Sequence, residues 1–281
     1  MDEISATLSA WDGVPITVTQ WRPGGDPPLL PLLCLPGLVR TAGDFAGFAA
    51  DFGAGRQVVS LDYVGRGKSG RVRDIRRYGP EACLRDVLDV CTALHLHRVI
   101  AVGTSFGGLL AMGIAMARPG LLAGVVLNDI GPEIDPAGTR FIRDFVGADL
   151  ALPDLDACAD HLRRHLPDLS IADTAGWRDF ARLTYGPGPD GRYHPLWDTR
   201  IARLLDGASP DLWPLFGALA GTRLLLIHGG RSSVLSQATV ARMQAIRPDM
   251  AVLELPRVGH APSLAEPAIA AGLRRFIGPA K

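Results

Sequence analysis

Apolar residues fall along this chain in two rhythms. Continuous runs of four to seven residues at Leu29–Leu35, Val58–Leu61, Arg98–Val102, Gly124–Asn128, Arg223–Ile227 and Ala251–Leu255 read as strands buried on both faces. Two further runs, Ser5–Trp11 and Ile16–Trp21, read as a pair of strands joined at Asp12-Gly13, and Pro23–Pro28 reads as a loop. Between the runs the spacing changes to that of helices. Phe45, Phe48 and Phe52 share one face of Thr41–Phe52. Leu84, Val87, Leu88, Cys91 and Leu94 do so within Gly79–Leu94, whose Pro80 suits a first turn. Gly108–Ala117, Gln237–Ile246 and Leu264–Ile277 complete the helical set.

Strands alternating with helices imply an α/β fold: a mostly parallel, twisted sheet with helices on both faces. The alternation stops after Asp129-Ile130-Gly131-Pro132. From Glu133 to Leu219 there is helical material, clearest at Asp154–Leu166, Asp173–Leu183 and Thr199–Leu205, with a loop at Gly186–Gly191 and no convincing strand. The expected organisation is a core of residues 1–132 and 220–281 interrupted by a helical insertion, 133–219. The insertion carries many of the aromatics, among them Phe141, Phe145, Trp177, Phe180, Trp197 and Trp213. They suit either a lid lining a pocket or a small helical core.

At 281 residues and 47% apolar, the chain can bury a sizeable core. Its 29 basic and 29 acidic side chains balance, and the densest basic run, Arg71–Arg77, contains an acid and reads as a solvated loop; no nucleic-acid partner is expected. Four cysteines without a CxxC pair suggest reduced thiols. The acidic start Met1-Asp2-Glu3 does not look like a signal peptide, and no run approaches membrane-spanning length. A soluble, cytoplasmic protein is expected.

The chemistry concentrates at Gly103-Thr104-Ser105-Phe106-Gly107, placed between a strand and a helix. This is the nucleophile-elbow pattern G-x-S-x-G in the setting that gives it meaning, since glycines let the strand and helix close around a strained serine. A serine hydroxyl needs a base. Of seven histidines, His260 follows the last strand directly, which puts it at the carboxyl edge of a parallel sheet beside Ser105. An oxyanion needs backbone donors. The amide of Phe106, next to the nucleophile, and that of Leu38, in the loop Pro36-Gly37-Leu38, are the candidates.

These segments resemble the α/β-hydrolase family over nearly the whole chain. The matching pieces are Leu35-Pro36-Gly37, Asp62 with Gly65-Arg66-Gly67-Lys68-Ser69, the Ser105 pentapeptide, Asn128-Asp129-Ile130-Gly131-Pro132 and Gly259-His260-Ala261-Pro262. The resemblance implies a helical cap inserted after the sixth strand and esterase-type chemistry without a cofactor or metal. The family usually has His where Pro36 stands, a change that leaves the backbone donor intact. It also places an acid in the loop after the seventh strand. Here that loop is Gly230–Ser236, with Ser233 at the acid's position. Asp249 precedes the last strand, at the wrong edge.

Three readings of the acid follow. It has moved to Asp129, at the end of the sixth strand, as in some family members; it has been lost by mutation; or Ser233 or a water orients His260. Other motifs lead away from the site. Gly67-Lys68-Ser69 lacks the glycine a phosphate loop needs, at Asp62. His161 and His165, near Cys158, share a helical face but lack the metalloprotease glutamate, Leu162 standing there. His95 and His97 read as surface residues, and His228 as packed. The resulting expectation is a serine hydrolase acting on a small apolar ester or lactone through an acyl-enzyme. Hydrolytic C–C cleavage of a diketone-like substrate, or a slow acid-site variant acting as a ligand-binding protein, are the alternatives.

Overall fold

The computed structural model describes residues 1–25, 27–207 and 210–278. Strands β1 (Asp2–Ser9) and β2 (Pro15–Arg22) form an antiparallel hairpin. β3 (Leu32–Leu35) leads through a 3₁₀ turn at Ala42–Phe45 into α1 (Ala46–Phe52) and β4 (Val58–Leu61); a second 3₁₀ turn, Ile75–Tyr78, precedes α2 (Pro80–Ala93). Then come β5 (Val99–Thr104), α3 (Phe106–Ala117) and β6 (Leu122–Asn128). After β6 the chain leaves the sheet for α4 (Pro136–Gly147), α5 (Leu155–His165), α6 (Thr174–Arg182), the short strands β7 (Tyr185–Pro187) and β8 (Tyr193–Pro195), a 3₁₀ stretch at Thr199–Leu205, and α7 (Trp213–Gly217). It returns with β9 (Arg223–Gly229), α8 (Gln237–Ile246), β10 (Ala251–Leu255) and α9 (Pro267–Ile277).

The large sheet runs β1-β2-β4-β3-β5-β6-β9-β10. β2 pairs antiparallel with β1 and β4, and every pairing from β4 to β10 is parallel. β3 and β4 are buried along their whole length, which is why they read as unbroken apolar runs. One face packs α1 and α9 through Phe48, Phe52, Ile269 and Leu273. The other packs α2, α3 and α8 through Val87, Leu110 and Val240, and continues into the segment after β6 through Trp197 and Phe216. Three helices of that segment begin at an aspartate that accepts a backbone N–H of the first turn: Asp135 from Ala137, Asp154 from Ala157 and Asp173 from Gly176.

Several local readings change. The Gly186–Gly191 loop joins the small β7–β8 hairpin, so the segment after β6 does contain strands. They are three residues each, with Gly186 and Pro187 in one, too short to show alternation. Thr41–Phe52 divides into a 3₁₀ turn and α1, Thr199–Leu205 is 3₁₀, and α4 appears where the pattern had singled out no helix. The third strand starts at Leu32, because Pro31 has no N–H to add to a ladder. The basic run is not wholly solvated: Arg77 is buried and holds Asp86 at 2.7 Å and Asp12 at 2.6 Å. Of the Pro23–Pro28 loop, Asp26 lies outside the described residues.

Candidate active site

β5 ends at the sharp turn that carries Ser105, whose φ of 51° and ψ of −117° lie outside the regions open to ordinary residues. Such strain is worth about 1–3 kcal/mol and persists only where surrounding structure over-determines it. Here the Ser105 N–H donates to the Asn128 carbonyl at 2.9 Å, and its carbonyl accepts the Gly108 N–H at 2.8 Å. The flanking glycines are sterically required. A Cβ on Gly103 would lie 2.5 Å from the Gly107 carbonyl carbon, and one on Gly107 would overlap the Leu35 carbonyl oxygen.

His260 enters from the loop after β10. Its Nε2 lies 2.8 Å from Ser105 Oγ, and its Nδ1 lies 2.7 Å from Asp129 Oδ2. Asp129 is fully buried at the end of β6. Its backbone adopts a φ of 58°, a left-handed conformation that aspartate tolerates better than most residues, and its N–H donates to the Ile227 carbonyl at 2.8 Å. The second carboxylate oxygen, Oδ1, accepts the Gly229 N–H at 2.8 Å. Held in this way, the Asp129 carboxylate accepts a hydrogen bond from the Nδ1–H, leaving Nε2 as the acceptor for the serine hydroxyl.

The structure therefore brings Ser105, His260 and Asp129 together, and it does not bring Ser233 to the histidine. Among the described residues, no hydrogen bond joins Ser233 to His260. The loop after β9 has other contacts. Ser232 Oγ accepts the N–H groups of Val234 and Leu235, both at 3.1 Å, and the Val234 carbonyl accepts the Asp135 N–H at 3.0 Å. The Ser233 carbonyl packs so closely on Gly138 of α4 that a Cβ there would collide with it. Asp249 sits away from the site, paired with Arg247 at 2.7 Å.

Pro36-Gly37-Leu38 lies against the elbow. The Gly37 carbonyl accepts the Arg40 N–H at 3.1 Å, so the Leu38 N–H, on the opposite side of the same trans peptide, is turned away from that bond. Tyr63 Oη donates to the Pro36 carbonyl at 3.2 Å. Two positions gain a structural role that residue type alone did not indicate. Tyr63 is one; Asn128 is the other, its Nδ2 bridging Thr104 Oγ1 at 3.2 Å and the Pro262 carbonyl at 2.9 Å, which ties the serine strand to the histidine loop. The only prior signal for Asn128 was its place beside Asp129.

The remaining motifs resolve into scaffolding. Asp62 accepts the N–H groups of Ala42 and Lys68 at 2.8 and 2.9 Å, and Ser69 Oγ donates to the Asp62 carbonyl at 2.6 Å, so the glycine–lysine–serine segment closes a turn on itself. Burial raises the Asp62 pKa from its ordinary value. His165 Nδ1 donates to the His161 carbonyl at 2.9 Å, the two rings lie 4.1 Å apart, and burial lowers the His161 pKa. His228 is buried, with Nε2 3.1 Å from the Leu235 carbonyl.

A cavity of about 1500 Å³ opens above Ser105 and His260. Its walls are mainly apolar and include Leu109 and Ile130 from the core and Phe141, Ile142, Phe180 and Trp213 from the segment after β6. Two charged pairs sit on its border: Arg40 with Asp44 at 2.6 Å, and Arg231 with Asp168 at 2.9 Å. No helix among the described residues is long and apolar enough to cross a membrane.

A strained serine, an imidazole and a buried carboxylate at the carboxyl edge of such a sheet define a hydrolase of the α/β type. The chain belongs to the α/β-hydrolase family, whose sequence profile matches residues 32–272. A solved α/β hydrolase from Novosphingobium aromaticivorans is 36% identical, with a TM-score of 0.91 and 98% of both chains covered. The chain is also similar to the 3-hydroxybutyrate-oligomer hydrolase of Cupriavidus necator, at 29% identity over 89% of this chain and 88% of that one. The 2-(acetamidomethylene)succinate hydrolase of Mesorhizobium japonicum is 26% identical over 72% of this chain and 71% of that one.

Proposed function

We propose that this hydrolase is a serine esterase that works through an acyl-enzyme. The unbroken hydrogen-bonded line from Ser105 through His260 to Asp129, at 2.8 and 2.7 Å, carries the proposal. Ser105 Oγ attacks the ester carbonyl while His260 Nε2 takes its proton. Asp129 stabilises the imidazolium and holds its tautomer, and the Leu38 and Phe106 amides receive the oxyanion. Collapse of the tetrahedral intermediate expels the alcohol, which leaves with the proton from His260. A water, deprotonated by the same nitrogen, then frees the acid and restores the serine.

Residues 133–219 act as a cap on a core formed by 1–132 and 220–281, and the substrate binds between them. The substrate is an apolar ester. A cavity of about 1500 Å³ exceeds the few hundred to 1,000 Å³ common for small-ligand sites, which favours an extended ester over a minimal one. The Cupriavidus relative is named for hydroxybutyrate oligomers, so oligoesters of short hydroxy acids are the first substrates to try. The reaction is assigned to the cytoplasm, in keeping with four free, buried cysteines.

A fluorophosphonate probe tests the nucleophile: the wild-type protein should be labelled at Ser105 at neutral pH and Ser105→Ala should not. Absence of labelling in the wild type overturns the reading. Product analysis on hydroxybutyrate oligomers, a short p-nitrophenyl ester and a vinylogous diketone then distinguishes ester hydrolysis from C–C cleavage.

A further inference from the structure

Arg66, in the turn after β4, has no exposed surface. Its Nε donates to the Leu38 carbonyl at 2.8 Å and its Nη1 to the Val64 carbonyl at 2.7 Å, while Nη1 and Nη2 face the Tyr78 carbonyl at 3.5 and 3.4 Å. Its guanidinium carbon lies 5.8 Å from the ring centres of Tyr63 and Tyr78 and 5.9 Å from that of Phe106. Nearby carboxylates are committed elsewhere: Asp86 to Arg77, and Asp198 to Arg200 and Tyr78. Among the described residues, none forms an ion pair with Arg66.

A buried cation without a counter-ion is expensive, and an apolar side chain would fill the same space at lower cost. Burial pulls the Arg66 pKa down from its ordinary value, but a guanidinium starts so high that it keeps its proton at neutral pH. What distinguishes its position is contact with both residues whose amides we assign to the oxyanion. It grips Leu38 through the carbonyl, and it packs on the ring of Phe106, which Tyr63 meets edge-on at 5.6 Å from the other ring's centre. With the Gly37 carbonyl held by Arg40 N–H, the peptide groups on both sides of Leu38 are clamped. The carbonyls and rings around Arg66 soften its charge without cancelling it, and in a poorly polarisable interior that charge acts over several ångströms.

We propose that Arg66 is a positioning residue for the oxyanion site: it holds the Leu38 loop against Phe106 and leaves an unneutralised positive charge behind the place where negative charge develops. The proposal rests on the serine-esterase reading above. It assigns to the Gly65-Arg66-Gly67 turn a part in stabilising the transition state, in addition to closing the turn.

The test compares the wild-type full chain with Arg66→Met and Arg66→Lys, using p-nitrophenyl butyrate turnover, a trifluoromethyl ketone that forms a charged tetrahedral adduct on serine, and circular dichroism to establish folding. Arg66→Met is expected to lower kcat about a hundredfold, the scale of losing an oxyanion donor, with KM within about threefold. Affinity for the ketone should fall by the same factor as kcat/KM. Arg66→Lys keeps charge without the fork and should lose about tenfold. A folded variant with wild-type kcat, or one whose loss is all in KM with ketone affinity unchanged, overturns the proposal. If Arg66→Met does not fold, Arg66→Lys decides by the same criteria. A wild-type protein that neither turns over the ester nor binds the ketone removes the esterase reading and this proposal with it; an active wild type with unaffected variants removes this one alone.

Discussion

Asp129 reaches His260 Nδ1 at 2.7 Å from the end of β6, and not from the loop after β9, where Ser233 stands. Two features make this geometry. β6 and β9 are neighbours in the sheet, with Asn128 opposite Ile227, and Asn128 Nδ2 ties the end of β6 to the histidine loop through the Pro262 carbonyl at 2.9 Å. The left-handed backbone at Asp129 then turns the carboxylate back across the strand ends, where the Gly229 N–H fixes one oxygen and leaves the other for the imidazole.

Asp129→Asn should keep the Gly229 hydrogen bond through its remaining oxygen and so present an N–H₂ group to His260 Nδ1. The favoured tautomer is lost. Turnover of a p-nitrophenyl ester is expected to fall by about 10² to 10⁴-fold with the melting temperature little changed, as for loss of the acid in serine proteases. Undiminished kcat in a folded variant would falsify the assignment of Asp129 as the acid.

Ser233→Asp separates a relocated acid from a lost one. The Ser233 backbone is seated on Gly138, its loop is held by Ser232, and His260 Nδ1 is already occupied by Asp129, so a new carboxylate at position 233 has no free imidazole nitrogen to serve. Steady-state kinetics should show kcat no more than about twofold above wild type. A rise of an order of magnitude would mean that Asp129 does not serve His260.

Gly107→Ala places a methyl group onto the Leu35 carbonyl oxygen, and that backbone cannot move without shifting the Pro36-Gly37-Leu38 loop that follows it. A loss of about 3 kcal/mol or more in urea unfolding is expected, at the upper end for overpacking. A Gly107→Ala protein as stable as wild type would show that β3 and α3 approach less closely than described.

His194 supplies a pH dependence remote from the site. Its Nδ1 faces Asp149 at 2.9 Å and its Nε2 faces Asp190 at 3.0 Å. Both nitrogens can donate only as imidazolium. These hydrogen bonds, that to Asp149 first, raise its pKa above the ordinary 6.5. With the folded value above the unfolded one, the stabilisation is complete below the unfolded pKa and is lost as pH rises through the folded value. The pair is exposed, so the effect is small. Between about pH 6 and pH 8.5 the melting temperature of His194→Gln should fall less than that of wild type. Parallel curves would rule the clamp out.

The α/β class and the approximate positions of the sheet strands were legible in the sequence because buried strands and amphipathic helices leave different apolar periods, and the family was legible as a resemblance carried by motifs such as the Ser105 pentapeptide. Short elements were not. Three-residue strands such as Tyr185–Pro187 have no period to read, and the 3₁₀ stretches at Ala42–Phe45 and Thr199–Leu205 differ from α-helix in hydrogen bonding more than in composition. Arg77 looked solvated because its partners, Asp12 and Asp86, lie outside its own run.

Ser105 and His260 could be selected from sequence because each carries its context locally: a glycine-flanked turn between strand and helix, and a loop directly after the last strand. Asp129 could only be one of several readings for the acid. Its approach to His260 depends on strand order, on a positive φ and on a backbone N–H supplied by Gly229, contacts between residues 100 or more positions apart. Residue type and spacing determined which groups could react. The packing of β6 against β9 decided which carboxylate meets the histidine, because a hydrogen bond of 2.7 Å is set by tertiary distance, which chain order does not contain.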